Sequence, residues 1–132
     1  MSKIFKVEYY KSKDGDYPAE EFILSQSIKM QAKIFRNLEL LESKGNELRE
    51  PFSKHLEDGI FELRSKVGTD ITRVLYFFVI GEKIILTNGF VKKSQKTPKG
   101  EIDIAKKYRN DYLNREENWL WVRTLEIHLL KD

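Results

Sequence analysis

The segment ITRVLYFFVI, residues 71–80, is apolar at both its odd and its even positions. A strand with one face in water alternates apolar and polar side chains, so this segment predicts a strand that is covered on both faces. Strand-like runs also occupy residues 59–67 and 83–90, and short glycine-containing loops separate the three runs. Tight loops of this kind join antiparallel neighbours. The sequence therefore predicts a three-stranded antiparallel meander with residues 71–80 as its central strand.

A helical pattern precedes the meander. Between residues 19 and 44, apolar side chains recur every three or four positions, and Gly45 follows as a C-cap. Ser25 and Ser27 leave two structures open, one long helix or a bent pair in which a serine caps the second helix. The apolar residues that follow this helical spacing are Ile28, Ala32, Phe35, Leu38 and Leu41.

The two ends of this region add a strand and a second helix. Residues 3–10 alternate with the period of a half-buried strand. Thr97 and Pro98 are suited to be the N-cap and the first residue of a helix that reaches about Leu113. Residues 1–132 are therefore expected to form a single α+β domain, in which helices pack on an antiparallel sheet.

The end of the chain, residues 113–132, has a less regular pattern. Trp119, Trp121 and Leu125 share one parity, which suits a strand. Two tryptophans in a short segment predict that it docks on the core of its own domain. A surface for a partner or for self-association is the alternative.

Composition excludes several classes of site. The chain has no cysteine, which rules out disulfides, Cys-based metal sites and thiol nucleophiles. No group of His, Asp and Glu has the spacing of metal ligands, so no metal and no other cofactor is expected. No apolar run approaches the roughly 20 residues of a membrane-spanning helix, and the N-terminus lacks the pattern of a signal peptide. We therefore expect a cytoplasmic protein with no membrane association.

The positive charge of the chain is concentrated in one segment. The net charge is only +3, but residues 83–109 contain eight basic and two acidic side chains. Such a patch attracts polyanions, including nucleic acids. An ordinary solvated surface is the alternative interpretation of charge alone.

Two arginines lie inside the predicted strands. If each loop of the meander has two residues, Arg64 lies directly opposite Arg73, and Arg73 lies opposite Phe90 on the next strand. Lys92 follows one step further along the same face. Like charges placed opposite one another destabilise a sheet, and a guanidinium group keeps its proton, so the register predicts an anion here.

A phosphate is the anion that best suits this arrangement, because its oxygens accept bidentate hydrogen bonds from guanidinium groups. The Phe90 ring would offer a surface on which an RNA base can stack. The alternative is an ordinary ion-pair network, in which a carboxylate such as Glu62 or Glu57 pairs with the arginines.

Three segments of the sequence together resemble one known family. They are KHLEDGIFELR at residues 54–64, TRVLYFFVIGEKIILTNGFVKKSQKTP at residues 72–98, and EIDIAKKYRNDY at residues 101–112. They resemble the phage-derived branch of the RelE/HigB toxin superfamily, in which "ELR", a "GF-x-KK" turn, "TP" and a following helix occur in this order. The resemblance extends from about Phe5 to Tyr112, and residues 113–132 lie beyond it.

The resemblance implies a function, a fold and partners. A chain of this kind is expected to be the toxin of a type II toxin–antitoxin system, an endoribonuclease that cleaves mRNA, usually on the ribosome. Its fold would be a RelE-like antiparallel sheet with N-terminal helices and a C-terminal helix packed on it. Its partner would be a cognate HigA-like antitoxin with a helix-turn-helix domain, through which alone the toxin would reach operator DNA.

The resemblance also implies roles for individual residues. Arg64 and Arg73 match the arginine positions of the family, and the histidine that often precedes its glycine-phenylalanine pair is replaced by Asn88. In a metal-independent mechanism the arginines would stabilise the transition state, and Lys92 would assist proton transfer. Substrate-binding roles are expected for Lys54, Phe90 and Lys93, and the candidates for the general base are Glu62 and His55. Replacing Arg73 by alanine is expected to abolish toxicity without unfolding the protein.

Two other functions remain open at this point. Some members of the superfamily, the ParE-like proteins, poison DNA gyrase and cut no RNA. A nucleic-acid-binding module without enzymatic activity is the third interpretation, and it predicts salt-dependent binding with no toxicity.

Overall fold

The computed structural model describes the backbone of residues 4–131 and the side chains of residues 4–115. The described chain has five strands and three α-helices, which confirms the α+β fold class. In chain order they are β1 (Lys6–Tyr9), α1 (Pro18–Leu24), α2 (Ile28–Lys44), β2 (Ser53–Glu57), β3 (Ile60–Val67), β4 (Asp70–Val79), β5 (Lys83–Val91) and α3 (Lys99–Lys131), with a 3₁₀ turn at Gly45–Glu47.

The strands form one sheet in the order β1-β5-β4-β3-β2. The antiparallel meander β3-β4-β5 is confirmed, with β4 at the centre of the sheet and buried on both faces. Strand β1 runs parallel to β5, so the sheet is not antiparallel throughout. Helices α1 and α2 carry the chain from β1 to the far edge of the sheet, and the meander then returns to place β5 beside β1.

Strand β2 was not predicted from the sequence. It pairs with β3 through the turn Asp58-Gly59, whose φ angles are +49° and +76°. A turn with two positive φ angles is the type I′ hairpin turn, for which Asp-Gly is a strong sequence signature. The sequence SKHLE has too few apolar residues to be recognised as a strand. The Asp-Gly dipeptide after it was the feature of the sequence that could have indicated a hairpin here.

The helical region before β2 is a bent pair, one of the two structures that the sequence left open. Helix α1 ends at Leu24, and Ser27 caps α2 by accepting a hydrogen bond from the Met30 N–H at 3.2 Å. Gly45 ends α2 with a φ angle of +54°, as expected for a C-cap.

The buried face of α2 agrees with the predicted one at Leu38 and Leu41 and differs from it in the earlier turns of the helix. Ile28 and Phe35 are 85% and 39% exposed, and Ala32 is also exposed. In these turns the sheet covers a neighbouring stripe with the same spacing, and the buried residues of α2 are Met30, Ile34, Asn37, Leu38 and Leu41. Two stripes of three- and four-residue spacing coexist in this helix, and spacing alone does not distinguish which one meets the sheet.

Helix α3 begins at Lys99, one residue after the predicted first position Pro98, and continues to Lys131. The expected end near Leu113 and the expected strand around Trp119 are therefore wrong, while the docking of the tryptophans concerns side chains outside the described residues. The first turns of α3 bury Ile102 and Ala105 against the sheet.

The core has two layers, one on each face of the sheet. The larger layer lies beneath α1 and α2 and includes Ile23, Ile34, Leu41, Leu63, Val74 and Leu86. The smaller layer lies beneath α3 and includes Ile60, Leu75, Phe77, Ile85 and Ala105. None of the described helices is long and apolar enough to cross a membrane.

Candidate active site

The predicted register of the two arginines is confirmed. Arg64 pairs with Arg73 across β3 and β4, and Arg73 pairs with Phe90 across β4 and β5. The first loop has the expected two residues, Gly68 and Thr69, and Gly68 has the positive φ angle of +62° that a type II′ turn requires.

The second loop has three residues rather than two, because Val79 pairs with Lys83. This shifts the register by one residue, and a bulge shifts it back, since Leu75 pairs with Asn88 while Tyr76 pairs with Leu86. Thr87 is the extra residue. Two deviations from the predicted hairpin therefore cancel before the strands reach Arg73.

A buried carboxylate joins the two arginines. Glu62 is fully buried, and one of its oxygens accepts hydrogen bonds from Arg64 Nε at 2.7 Å and from an Arg73 terminal nitrogen at 2.6 Å. The Thr97 hydroxyl donates to its other oxygen. The Thr97 hydroxyl is thus used in this network, whereas the sequence predicted it as the helix N-cap. The ion-pair network that the sequence left open as an alternative is therefore present here, and Glu62 is the carboxylate that bridges the two arginines.

Glu57, the other carboxylate considered for this role, lies elsewhere. It accepts a hydrogen bond from Lys106 of α3 at 2.5 Å, and this hydrogen bond, together with the positive charge of Lys106, lowers the pKa of Glu57. Beside it, Arg109 pairs with Asp58 at 2.8 Å. These two exposed contacts fasten α3 to the β2–β3 hairpin.

The arginine–glutamate network has a surplus of positive charge in its buried part. Two guanidinium groups share one carboxylate, and buried charges require partners to remain stable. The Arg73 side chain is only 4% exposed, and its Nε has no hydrogen-bond partner among the described residues. The Arg64 side chain is 24% exposed and reaches a second carboxylate, Glu50, at 3.3 Å. Arg64 is therefore the arginine that faces solvent.

A groove of about 560 Å³ opens at this network. It lies beside the part of β3 beyond Leu63, where pairing with β2 stops. Five basic residues line it, and none of the described residues that line it is acidic. The lining residues are Lys33, Asn37, Pro51, Phe52, Arg64, Ser65, Lys66, Gly68, Ile71, Arg73 and Lys92. The groove thus combines the three predicted catalytic residues with an excess of positive charge.

The predicted substrate-binding residues Lys54, Phe90 and Lys93 lie outside the groove. Lys54 is exposed and lies directly opposite Glu62 in the register, on the same sheet face as the arginines. Lys93 is exposed just after β5. Phe90 is half-buried and packs against the core layer beneath α3. None of the three is among the residues that line the groove.

The two candidates for the general base are not equivalent. His55 lies opposite Phe61 in the register, its ring 4.9 Å from the Phe61 ring, and its Nε2 accepts the Gly59 N–H at 3.1 Å. Because neighbouring residues of a strand alternate between faces, His55 and Lys54 lie on opposite sides of the sheet. His55 therefore does not join the arginines. Glu62 does, but its depth and its three donors favour a positioning role over proton abstraction.

Asn88 connects the sheet to the start of α3. It is 6% exposed, and its amide nitrogen donates to the Glu101 carbonyl and to the Glu101 side chain, both at 3.2 Å. Its position is thus used for packing between β5 and α3.

The sequence did not indicate Lys33, Phe52 or Lys66 as site residues. Lys33 belongs to α2 and Phe52 to the loop before β2, and only the fold brings them to β3. Lys66 lies two residues after Arg64 on the same strand, so both side chains are on the same face of the sheet, and this spacing could have indicated Lys66 from the sequence. Among the described residues, no group of three or more His, Cys, Asp or Glu is placed to hold a metal ion.

A comparison with protein families identifies the chain. The sequence profile described as Phage derived protein Gp49-like (DUF891) matches residues 21–110, which is more than half of the chain and includes β2 to β5. The chain belongs to this family. The Gp49-like family is a RelE-like family of toxin–antitoxin toxins, so the resemblance predicted from the sequence is confirmed at this level. No curated protein matches the chain.

Proposed function

We propose that this Gp49-like protein is the toxin of a type II toxin–antitoxin system and acts as an endoribonuclease on mRNA. The observation that carries the proposal is the groove with five basic and no acidic lining residues, at which Arg64, Arg73 and Lys92 meet. Clustered cations that are held in place by the buried Glu62 are suited to bind a phosphodiester and to stabilise the negative charge that develops on it.

The proposed chemistry is an attack of the ribose 2′-oxygen on the adjacent phosphorus. The bond from phosphorus to the 5′-oxygen breaks, which leaves a 2′,3′-cyclic phosphate and a 5′-hydroxyl. The 2′-hydroxyl loses its proton to solvent, and the leaving 5′-oxygen takes one from the Lys92 ammonium group. Arg64 and Arg73 stabilise the negative charge that develops on the phosphate oxygens.

The other residues have supporting roles in this proposal. Glu62 holds both guanidinium groups in place, because it bonds to each of them from within the sheet. Lys54 and Lys93, exposed outside the groove, bind phosphates further along the RNA. Phe90 supports Arg73 from the neighbouring strand.

The proposed partners are those that the resemblance to RelE/HigB toxins implies. A cognate antitoxin with a helix-turn-helix domain inhibits the protein and alone contacts operator DNA. The substrate is mRNA, bound on the ribosome, and the site of action is the cytoplasm.

The test compares growth and mRNA ends after induction of the wild type and of Arg64→Met. We expect the wild type to arrest growth and create new 5′ ends inside translated frames, and Arg64→Met to lose at least about 100-fold in cleavage. Lys13→Ala is the matched control, because its side chain is 81% exposed and does not line the groove. Growth arrest by the wild type without new 5′ ends contradicts the proposal and directs the next assay to gyrase supercoiling.

A further inference from the structure

Phe52 is an exposed aromatic residue that lines the cationic groove. It is 36% exposed and belongs to neither hydrophobic cluster of the described residues. We infer that the groove binds single-stranded RNA with one base stacked on Phe52 and the adjoining phosphates on Arg64, Lys66 and Lys33. This inference rests on the proposed function and assigns the base-stacking role to Phe52 rather than to Phe90.

The backbone fixes Phe52 beside the phosphate-binding arginine. The Phe52 carbonyl accepts a hydrogen bond from the Arg64 N–H at 2.8 Å. Both residues also line the groove, so their side chains border one shared space. A base and its own phosphate are separated by only one ribose, so a single nucleotide can meet both groups.

Phe90 has a different environment. Its ring packs against the core layer beneath α3, so its surface is used by the protein itself. A ring in such a layer contributes to the core, whereas a stacking platform requires a free face. Of the two phenylalanines, Phe52 has the open position and lines the groove.

Two further lysines that line the groove supply a path for the RNA backbone. Lys33 comes from α2, while Lys66 lies two residues after Arg64 on β3 and is exposed. Asn37 holds these elements together, since its amide donates to the Arg64 carbonyl at 3.1 Å and to the Ser65 hydroxyl at 2.9 Å. The distance between the two lysine-bearing elements is thereby set by a buried contact.

One acidic residue competes for this site. Glu50 pairs with Arg64 at 3.3 Å, but its side chain is 61% exposed. Exposed ion pairs contribute little free energy, so a phosphate can replace Glu50 at the guanidinium group at small cost. Binding of RNA requires only that this side chain turn into solvent.

Fluorescence titration with a 2′-O-methyl hexanucleotide that carries one 2-aminopurine tests the inference. The methyl groups prevent cleavage, and stacking of the 2-aminopurine on an aromatic ring quenches its emission. We expect Phe52→Leu, which keeps an apolar side chain of similar size, to bind about 10- to 100-fold more weakly and to lose the quenching. Phe52→Tyr is expected to keep both properties, because the ring is retained.

Phe35→Leu is the matched control. Phe35 is 39% exposed, nearly the same as Phe52, but it does not line the groove. We expect this variant to bind and quench as the wild type does. Equal losses in Phe35→Leu and Phe52→Leu, or quenching that persists in Phe52→Leu, overturn the inference.

The salt dependence of binding tests the two lysines. Each phosphate contact to single-stranded nucleic acid contributes about −0.7 to the slope of log K against log salt concentration. Lys33→Ala and Lys66→Ala are each expected to flatten the slope by about this amount. Lys13→Ala, with a side chain 81% exposed, is expected to leave it unchanged. A slope unaffected by either groove variant contradicts the proposed path.

The outcomes distinguish this inference from the proposed function. Growth arrest with mRNA cleavage that is unchanged in Phe52→Leu leaves the nuclease in place and removes the stacking role. Binding that depends on Phe52, in a protein that neither arrests growth nor cuts RNA, supports the nucleotide site and removes the nuclease.

Discussion

The buried Glu62 makes the two arginines unequal, and this difference can be measured. Replacing Arg73 by methionine keeps most of the side-chain volume and removes the charge. Glu62 is fully buried, and its remaining partners among the described residues would be Arg64 and Thr97. Removing one partner of a buried ion pair costs about 3–5 kcal/mol, and we expect the lower end because one guanidinium remains.

The expected loss for Arg73→Met is therefore about 3 kcal/mol, which in a domain of this size lowers Tm by about 10 °C. Arg64→Met is expected to lower the free energy of unfolding by about 1 kcal/mol. The Arg64 side chain is 24% exposed, so water can reach the polar groups that lose their partner when it is replaced. Urea unfolding followed by circular dichroism gives both free energies from one method.

A double variant separates charge from packing. Adding Glu62→Gln to Arg73→Met removes the buried negative charge that has lost one of its partners. We therefore expect the double variant to be more stable than Arg73→Met alone. If Arg73→Met and Arg64→Met differ by less than about 0.5 kcal/mol, the reasoning from burial is refuted. The same reasoning changes the sequence-based expectation that an Arg73→Ala protein stays fully folded, and it makes Arg64 the better residue for activity assays.

Two further predictions concern the sheet. Burial raises the pKa of Tyr76 to about 12. The neutral form of Tyr76 therefore contributes fully to the free energy of unfolding below pH 10, where a tyrosine in the unfolded chain is also neutral. This contribution is lost as the pH rises from 10 towards 12. Urea midpoints from pH 8 to 11 are expected to fall more steeply for the wild type than for Tyr76→Phe, and equal slopes contradict this. At Gly89, an added Cβ would lie 2.3 Å from the Phe22 ring, so Gly89→Ala is expected to destabilise the protein by about 1–3 kcal/mol. Thermal unfolding checks this loss, and an unchanged Tm shows that α1 moves away freely.

The meander and its register were predictable because they depend on local chemistry. The strands are strongly apolar, and glycines mark the loops between them. The arrangement of Arg64 opposite Arg73 follows from counting residues across a two-residue turn. The predicted pairing of Arg73 with Phe90 also holds, although the loop length and the bulge behind it were not foreseen.

The features that were missed depend on contacts between distant parts of the chain. Helix α2 has two apolar stripes, and only the position of the sheet determines that the one containing Ile34 is buried. Lys33 and Phe52 reach the groove through the packing of α2 and of the loop before β2. The role of Glu62 was left open in the same way, because two register-matched arginines specify a need for an anion but not its source.

The paired irregularities in the β4–β5 hairpin have a consequence for how such a protein can change in length. Each of the two extra residues lies outside the ladder of paired residues: removing one residue of the loop at residues 80–82 leaves Val79 opposite Lys83, and removing Thr87 leaves Leu75 opposite Asn88. In either case Phe90 and Lys92 stay on the side of the sheet that carries Arg73. The hairpin can therefore lose a residue at either position without turning the side chains of the site to the other face.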